Sequence, residues 1–122
     1  MCLSPASGAD PRPGSPLFRF GAVADCQYCE ATSKNRKYNL SPKKLTACVE
    51  HYNKMDLSFV VHLGDFIDRD FASFDKVVPI YNRLKAPHYH VLGNHDFSVA
   101  DDKKVLVPAR LGLKNRYYDF TR

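Results

Sequence analysis

Three short segments of this chain carry residue types that bind divalent metals in proteins. Asp25 and Gln27 lie in the first segment, Asp65 lies in the second, and Asn94 lies in the third. Their carboxylate and amide oxygens are hard ligands, which favour Mn²⁺ or Mg²⁺ over metals that prefer sulfur. Asp65, the middle residue, is the natural bridge between two ions about 3.5–4 Å apart. The four residues therefore predict a two-metal site, an arrangement suited to the hydrolysis of phosphate esters and anhydrides.

Three neighbouring side chains add groups that suit a phosphate substrate. His95 follows Asn94 and can give a proton or a hydrogen bond to phosphate. Asp68 can orient His95, and Arg69 can contact phosphate oxygens. Ordinary structural roles are open for the same residues, because His95 can be a loop histidine and Arg69 can form an ion pair with Asp70. We treat His95, Asp68 and Arg69 as candidate catalytic residues.

Two glycines favour the metal-site interpretation over a simpler one. Taken alone, Asp25 and Asp65 each have an ordinary role as the cap of a turn or loop. Gly64 and Gly93, however, directly precede Asp65 and Asn94. Glycine allows a sharp turn of the backbone, so each following side chain is expected to face a common edge of the fold.

The candidate ligands follow three short apolar runs that are typical of buried strands. Strands are predicted over residues 17–24, 58–63 and 88–92. Runs of this kind, with β-branched residues, suit parallel strands that are covered on both faces. Residues 117–121 alternate like the start of a fourth strand.

Amphipathic patterns predict helices between these strands. A helix is expected to begin at Ser41, with Ser41 as the N-cap and the following proline in the first turn. A second helix is predicted over residues 73–85, where Pro79 must kink the helix or mark a late start, because an interior proline costs about 3 kcal/mol. A shorter third helix is predicted over residues 101–111, with Gly112 at its end.

The predicted order βαβαβ indicates an α/β fold with a parallel sheet and crossover helices. In such sheets, ligands bind at the carboxyl ends of the strands. All the candidate metal ligands lie at those ends. Their placement supports a site independently, since residue type identifies the ligands and the apolar pattern identifies the strands.

Length and composition limit the classes of protein to consider. The 122 residues suffice for one domain, and the hydrophobic fraction of 44% is ordinary for a globular protein. No apolar run is long enough to cross a bilayer, so we expect no membrane partner. Residues 1–16 are predicted to be a disordered tail rather than a targeting signal, because they lack an apolar block and carry a single arginine.

The net charge of +5 favours anionic partners. A phosphorylated small molecule fits this charge, and so does nucleic acid. The basic residues are scattered, however, and no basic stripe with interleaved aromatic residues supports nucleic acid as the partner. The ordinary interpretation of the scattered charges is a solvated surface.

The cysteines give little support to redox or zinc chemistry. Cys26 and Cys29 form a single CxxC pair with no second pair and no suitably spaced histidines. We expect free thiols, which suits a protein of the reducing cytoplasm.

The three segments resemble motifs of the calcineurin-like metallophosphoesterase superfamily. Residues 64–69 (GDFIDR) and 93–96 (GNHD) are similar to its second and third motifs, and residues 24–28 (ADCQY) are similar to the first. Gln27 stands where most members have histidine. In this respect, and in its flanking residues, the chain resembles the manganese-dependent ADP-ribose/CDP-alcohol diphosphatase branch. The resemblance covers residues 18–122.

The resemblance implies a fold, a cofactor and a reaction. The fold would be a four-layer αββα sandwich. Asp25, Gln27 and Asp65 would hold one ion of a divalent pair, Asp65 and Asn94 would hold the other, and His95 would assist at the phosphate. The implied cofactor is a pair of Mn²⁺ ions, with Mg²⁺ or Fe²⁺ as alternatives. The implied substrate is a nucleotide diphosphate such as ADP-ribose or a CDP-alcohol.

The chain departs from the superfamily after the third motif. Members continue with a metal-binding histidine and a Gly-His-x-His segment, and this chain has neither. We therefore expect residues 17–122 to be a partial domain, the amino-terminal half of the sandwich, and to hydrolyse such substrates poorly or not at all on their own. Two alternatives stay open: another metallophosphoesterase, acting on phosphodiesters or monoesters, and a non-catalytic remnant that binds a metal, a nucleotide or a partner.

Overall fold

The computed structural model describes Gly14 and residues 16–121. The predicted disordered tail, residues 1–16, lies outside the described residues apart from Gly14 and Pro16. Strands β1 to β3 span Phe20–Val23, Phe59–His62 and His88–His90, and helices α1 to α4 span Ser41–Tyr52, Phe74–Tyr81, Asp101–Lys104 and Val107–Arg110. Short 3₁₀ turns lie at Tyr38–Leu40, Phe71–Ser73 and His95–Phe97.

The three strands form one parallel sheet in the order β1-β2-β3. The register aligns the carboxyl ends of the strands, since Val23 pairs with His62 and His62 pairs with His90. Helices α1 and α2 connect successive strands, which confirms the predicted α/β fold with βαβαβ order. The loops that follow the strands therefore meet at one edge of the sheet.

The helices differ from the predicted ones in their ends. Helix α1 begins with Ser41 already helical and Leu40 as N-cap, because a 3₁₀ turn leads directly into it. Helix α2 contains Pro79 and ends at Tyr81 rather than continuing to residue 85. The predicted third helix is divided into α3 and α4, and Gly112 follows α4 at φ +72° as a helix-ending residue.

The prediction of a fourth strand at residues 117–121 is wrong, because these residues form no strand. They instead pack beside the sheet through their aromatic side chains. The hydroxyl of Tyr118 donates a hydrogen bond of 2.6 Å to the carbonyl of His90, and the ring of Phe120 stacks on Tyr89 at 4.0 Å. The alternation in this segment therefore reflects side-chain packing and not a paired backbone.

The main core lies between the sheet and helices α1 and α2. Val49 of α1, Val60 of β2, and Val77 and Tyr81 of α2 are all buried. Gly21 of β1 makes room for α1, since a Cβ at this position would lie 2.9 Å from the ring of Tyr52. Among the described residues, no helix is both long enough and apolar enough to cross a bilayer.

Two histidines of the sheet are buried in this core. Burial lowers the pKa of His62 to about 3 and that of His90 to about 4, so both rings are neutral at neutral pH. Nδ1 of His62 accepts the amide N–H of Gly64 at 3.2 Å, while Nε2 of His62 and Nδ1 of His90 find no hydrogen-bond partner among the described residues. The rings pack with Phe66 and Tyr81, and so they serve as aromatic core residues.

Candidate metal site

The loops after β1 and β2 run side by side beyond the end of the sheet. The amide of Asp25 donates to the carbonyl of Gly64 at 3.3 Å, and the amide of Gln27 donates to the carbonyl of Asp65 at 2.9 Å. These bonds continue the parallel register of the two strands. The backbones of three candidate ligands, Asp25, Gln27 and Asp65, are therefore adjacent.

The loop after β3 joins them through Asp65. Oδ1 of Asp65 accepts the amide N–H of His95 at 2.9 Å. A Cβ on Gly93 would lie 2.8 Å from Cγ of Asp65 and would also collide with its backbone nitrogen, so only glycine allows this approach. The structure thus places Asn94, between Gly93 and His95, beside the Asp65 carboxylate.

The two glycines serve different purposes. Gly64 has φ +99°, which agrees with the expected sharp turn. Gly93 has no positive φ, and it is required because the Asp65 side chain occupies the space of a Cβ. The expectation that Gly93 allows a sharp turn is therefore wrong. Gly93 instead allows two loops to approach each other closely.

Three candidate ligands have a left-handed backbone, a feature that no pattern in the sequence predicts. Their φ angles are +51° for Asp25, +43° for Gln27 and +56° for Asp65. Residues other than glycine adopt this conformation at a cost of about 1–3 kcal/mol each, and such strain concentrates at functional sites. The fold therefore holds Asp25, Gln27 and Asp65 in conformations that local preference does not explain.

Replacing Asp25 with glycine is expected to separate stability from metal binding. Glycine relieves the left-handed backbone, so the free energy of unfolding should stay unchanged or rise by up to about 1 kcal/mol. Mn²⁺ binding should be lost with the carboxylate. Urea unfolding followed by circular dichroism, together with calorimetric Mn²⁺ titration, measures both effects. Asp25→Asn is the matched control, since it removes the charge and tolerates the same backbone. A glycine variant destabilised by more than about 1 kcal/mol would show that Asp25 is a turn cap.

Asp96 organises the loops and was not among the predicted site residues. Its side chain is fully buried, and its two oxygens accept four backbone N–H groups at 2.8–3.3 Å, from Asp65, Phe66, Ile67 and Gly93. Burial raises the pKa of Asp96, whereas the hydrogen bonds from Gly93, Ile67 and Phe66 oppose that shift. The one sequence signal was its place as the last residue of GNHD.

The candidate catalytic residues form one connected group around the buried Asp68. Oδ2 of Asp68 accepts a hydrogen bond from Nε of Arg69 at 2.8 Å, so Arg69 pairs with Asp68 and not with Asp70. Nδ1 of His95 lies 3.3 Å from Oδ1 of Asp68 and 3.1 Å from its backbone carbonyl. Both neighbours are acceptors, so Nδ1 carries a proton and Nε2 is the ring nitrogen that points away from Asp68.

The chemistry of the donors fits a hard divalent cation. Within the described part of the chain, no three His, Cys, Asp or Glu side chains are grouped so that they could hold a metal ion. The candidate oxygen donors at this edge are the carboxylates of Asp25 and Asp65 and the side-chain amides of Gln27 and Asn94. Such all-oxygen sets suit Mn²⁺ and Mg²⁺.

The thiols near the site have low nucleophilic reactivity. Cys26, Cys29 and Cys48 are free. Burial raises the pKa of Cys26 to about 12 and raises the pKa of Cys29, so the reactive thiolate forms are suppressed. The free state of these three cysteines agrees with the expectation of free thiols.

Comparison with known proteins shows which proteins this chain resembles. The model of a family described as calcineurin-like phosphoesterase matches residues 18–121. The manganese-dependent ADP-ribose/CDP-alcohol diphosphatase of Arabidopsis thaliana is 32% identical, over 87% of this chain and 39% of the relative. The enzyme of the same name from Mus musculus is 35% identical, over 78% of this chain and 32% of the relative.

A solved structure is similar as well. The crystal structure of a dimetal phosphatase from Danio rerio matches with a TM-score of 0.64 and 27% identity, covering 75% of this chain and 34% of that one. The present chain thus spans 39%, 32% and 34% of the length of these three proteins.

Proposed function

This chain belongs to the calcineurin-like phosphoesterase family, and from that premise we propose that it binds a pair of divalent metal ions and acts in the hydrolysis of a nucleotide diphosphate. The substrate class is that of ADP-ribose and the CDP-alcohols, in which a phosphoanhydride bond is broken. The names of the relatives support this substrate class and Mn²⁺ as the ion. Mg²⁺ and Fe²⁺ are the alternative ions for a site of oxygen ligands. The free thiols suit a location in the cytoplasm.

The observation that carries the proposal is the meeting of three loops at Asp65. Its backbone carbonyl is bonded to the loop of Gln27, and its carboxylate is bonded to the loop of Asn94. Asp25 and Gln27 would hold one ion with Asp65, and Asp65 and Asn94 would hold the other. The bound ions would supply an activated water and neutralise charge on the phosphate.

The side chains beside the ligands have roles that follow from their contacts. His95 has its Nδ1 proton directed at Asp68, which leaves Nε2 as the nitrogen for the phosphate or the departing oxygen. Asp68 is the positioning residue for His95. Arg69 uses Nε on Asp68, and its terminal nitrogens are then the groups for phosphate oxygens.

Product analysis on a substrate panel tests the proposal. The chain is incubated with Mn²⁺ and, separately, ADP-ribose, CDP-choline, bis(p-nitrophenyl) phosphate or p-nitrophenyl phosphate. We expect slow, Mn²⁺-dependent release of AMP and CMP from the first two, because the described residues bring no histidine into the proposed ligand set. Release from the aryl esters alone would assign the chain to another phosphoesterase class. Mn²⁺ binding without any product would contradict a hydrolytic role for this chain.

A further inference from the structure

A cavity of about 510 Å³ opens directly beside the candidate metal ligand Asp25. The end of β1, the loop of residues 35–38 and the first turns of α1 form its walls. A second cavity of about 240 Å³ is lined by residues of the same loop and by Arg69. Arg36 and Tyr38 line both cavities, one of which includes the candidate ligand Asp25 and the other the candidate catalytic residue Arg69.

The walls of these cavities are cationic. Arg36, Lys37 and Lys44 line the larger cavity, in which Asp25 is the acidic residue, and Arg36 and Arg69 line the smaller one. Within the described part of the chain, Arg36, Lys37 and Lys44 form no ion pair, whereas Arg69 is paired with Asp68. Arg36 and Lys37 of the loop and Lys44 of α1 therefore present positive charge that forms no ion pair with a carboxylate of the described residues.

An aromatic ring accompanies this charge. The guanidinium carbon of Arg36 lies 5.9 Å from the centre of the Tyr38 ring, and this contact supports the arginine from one side. Tyr38 is half-buried and lines both cavities. A guanidinium beside an aromatic surface matches a ligand that joins a phosphate to a flat base.

We propose that Arg36 binds the phosphate of the nucleotide diphosphate that is not attacked, and that Tyr38 packs against the nucleoside. Lys37 and Lys44 add charge to the same cavity. This inference rests on the proposed function, since Asp25 fixes where the attacked phosphate lies. The ligand chemistry is a nucleoside 5′-phosphate, recognised by its phosphate and by its base.

Calorimetric titration with ADP, AMP and adenosine tests the subsite, each with Mn²⁺ and with EDTA. Arg36→Ala is expected to weaken binding of ADP and AMP about tenfold, which corresponds to the loss of a charge-assisted hydrogen bond. Adenosine binding should change less than twofold, because adenosine has no phosphate. Arg36→Lys should recover part of the lost ADP affinity. Arg83→Ala is the matched control, since Arg83 is an exposed cation paired with Glu50 and its removal changes the net charge equally.

Two outcomes would overturn the subsite. One is wild-type ADP affinity in Arg36→Ala, and the other is an equal loss in Arg83→Ala, which would indicate a general charge effect. The titrations in EDTA measure nucleotide binding without Mn²⁺, and so they test the subsite independently of the proposed metal site. If the wild-type chain binds no Mn²⁺, the proposed function fails, whereas loss of ADP affinity in Arg36→Ala with EDTA present still supports the subsite. No ADP binding by the wild-type chain under either condition rejects the subsite.

Discussion

Replacing Asp65 with asparagine is expected to weaken Mn²⁺ binding by about 100-fold or more. Changes to residues that merely orient metal ligands cost about 10- to 100-fold in affinity, and a charged bridging ligand should matter at least as much. The fold should survive, because an asparagine oxygen can still accept the His95 amide that Oδ1 of Asp65 now accepts. The change therefore removes a charge from the site and keeps the loop connection.

Calorimetric titration with Mn²⁺ measures this loss, and AMP release from ADP-ribose should disappear with it. Asp56→Asn is the control, since Asp56 is exposed and lies outside the three loops. Far-ultraviolet circular dichroism checks that Asp65→Asn is folded. If that folded variant binds Mn²⁺ as the wild type does, Asp65 is not a ligand and the two-metal interpretation is wrong.

Replacing Asp96 with alanine is expected to lower the free energy of unfolding by about 3–5 kcal/mol. The change leaves four buried or half-buried backbone N–H groups without their acceptor, and each unpaired buried group costs about 1–3 kcal/mol before relaxation. Removing one partner of a buried, hydrogen-bonded charge has costs of this size. The loops after β2 and β3 should separate, because Asp96 accepts N–H groups from both.

Urea unfolding followed by circular dichroism measures the loss of stability, since the chain contains no tryptophan for fluorescence. Asp102→Ala is the control, because Asp102 is exposed at the start of α3 and forms a surface ion pair with Lys103. A loss below about 1 kcal/mol for Asp96→Ala would mean that water satisfies the amides and that the carboxylate is dispensable.

The parts of the fold that depend on local pattern were predicted from the sequence. Strands β2 and β3 lie within the predicted runs 58–63 and 88–92. The proline after Ser41 lies in the first turn of α1. The ends of the helices were harder to predict. Helix α2 stops at Tyr81, soon after Pro79, because packing and not the apolar periodicity decides where it ends. Residues 117–121 alternate like a strand, but their aromatic rings pack beside the sheet. The sequence alone does not show that the alternation belongs to this packing and not to a paired strand.

The candidate site shows the same division. Residue types and predicted strand ends are sufficient to place Asp25, Gln27, Asp65 and Asn94 at one edge of the sheet. The role of Asp96 depends on amides contributed by two separate loops, so it emerges only from tertiary structure. The left-handed backbones likewise occur where hydrogen bonds join two loops, such as that from Gln27 to the carbonyl of Asp65.

The sequence alone does not show which aspartate pairs with Arg69. Asp68 and Asp70 flank Arg69 and are equally close to it in the sequence. The fold decides between them, because Asp68 is buried next to Arg69 and His95, whereas Asp70 is exposed with φ +63°. Orientation of His95 and pairing of Arg69 therefore depend on the same carboxylate.

The most direct test of the metal site is a nuclear magnetic resonance titration of the ¹⁵N-labelled chain with small amounts of Mn²⁺. The unpaired electrons of Mn²⁺ broaden the amide signals of residues close to the ion. The arrangement of loops predicts that signals of Asp25, Gln27, Asp65, Asn94 and His95 disappear together, before those of the rest of the chain. Broadening that begins elsewhere, for example at the exposed acidic residues of α3, or that spares any one of the three loops, would contradict a shared metal site.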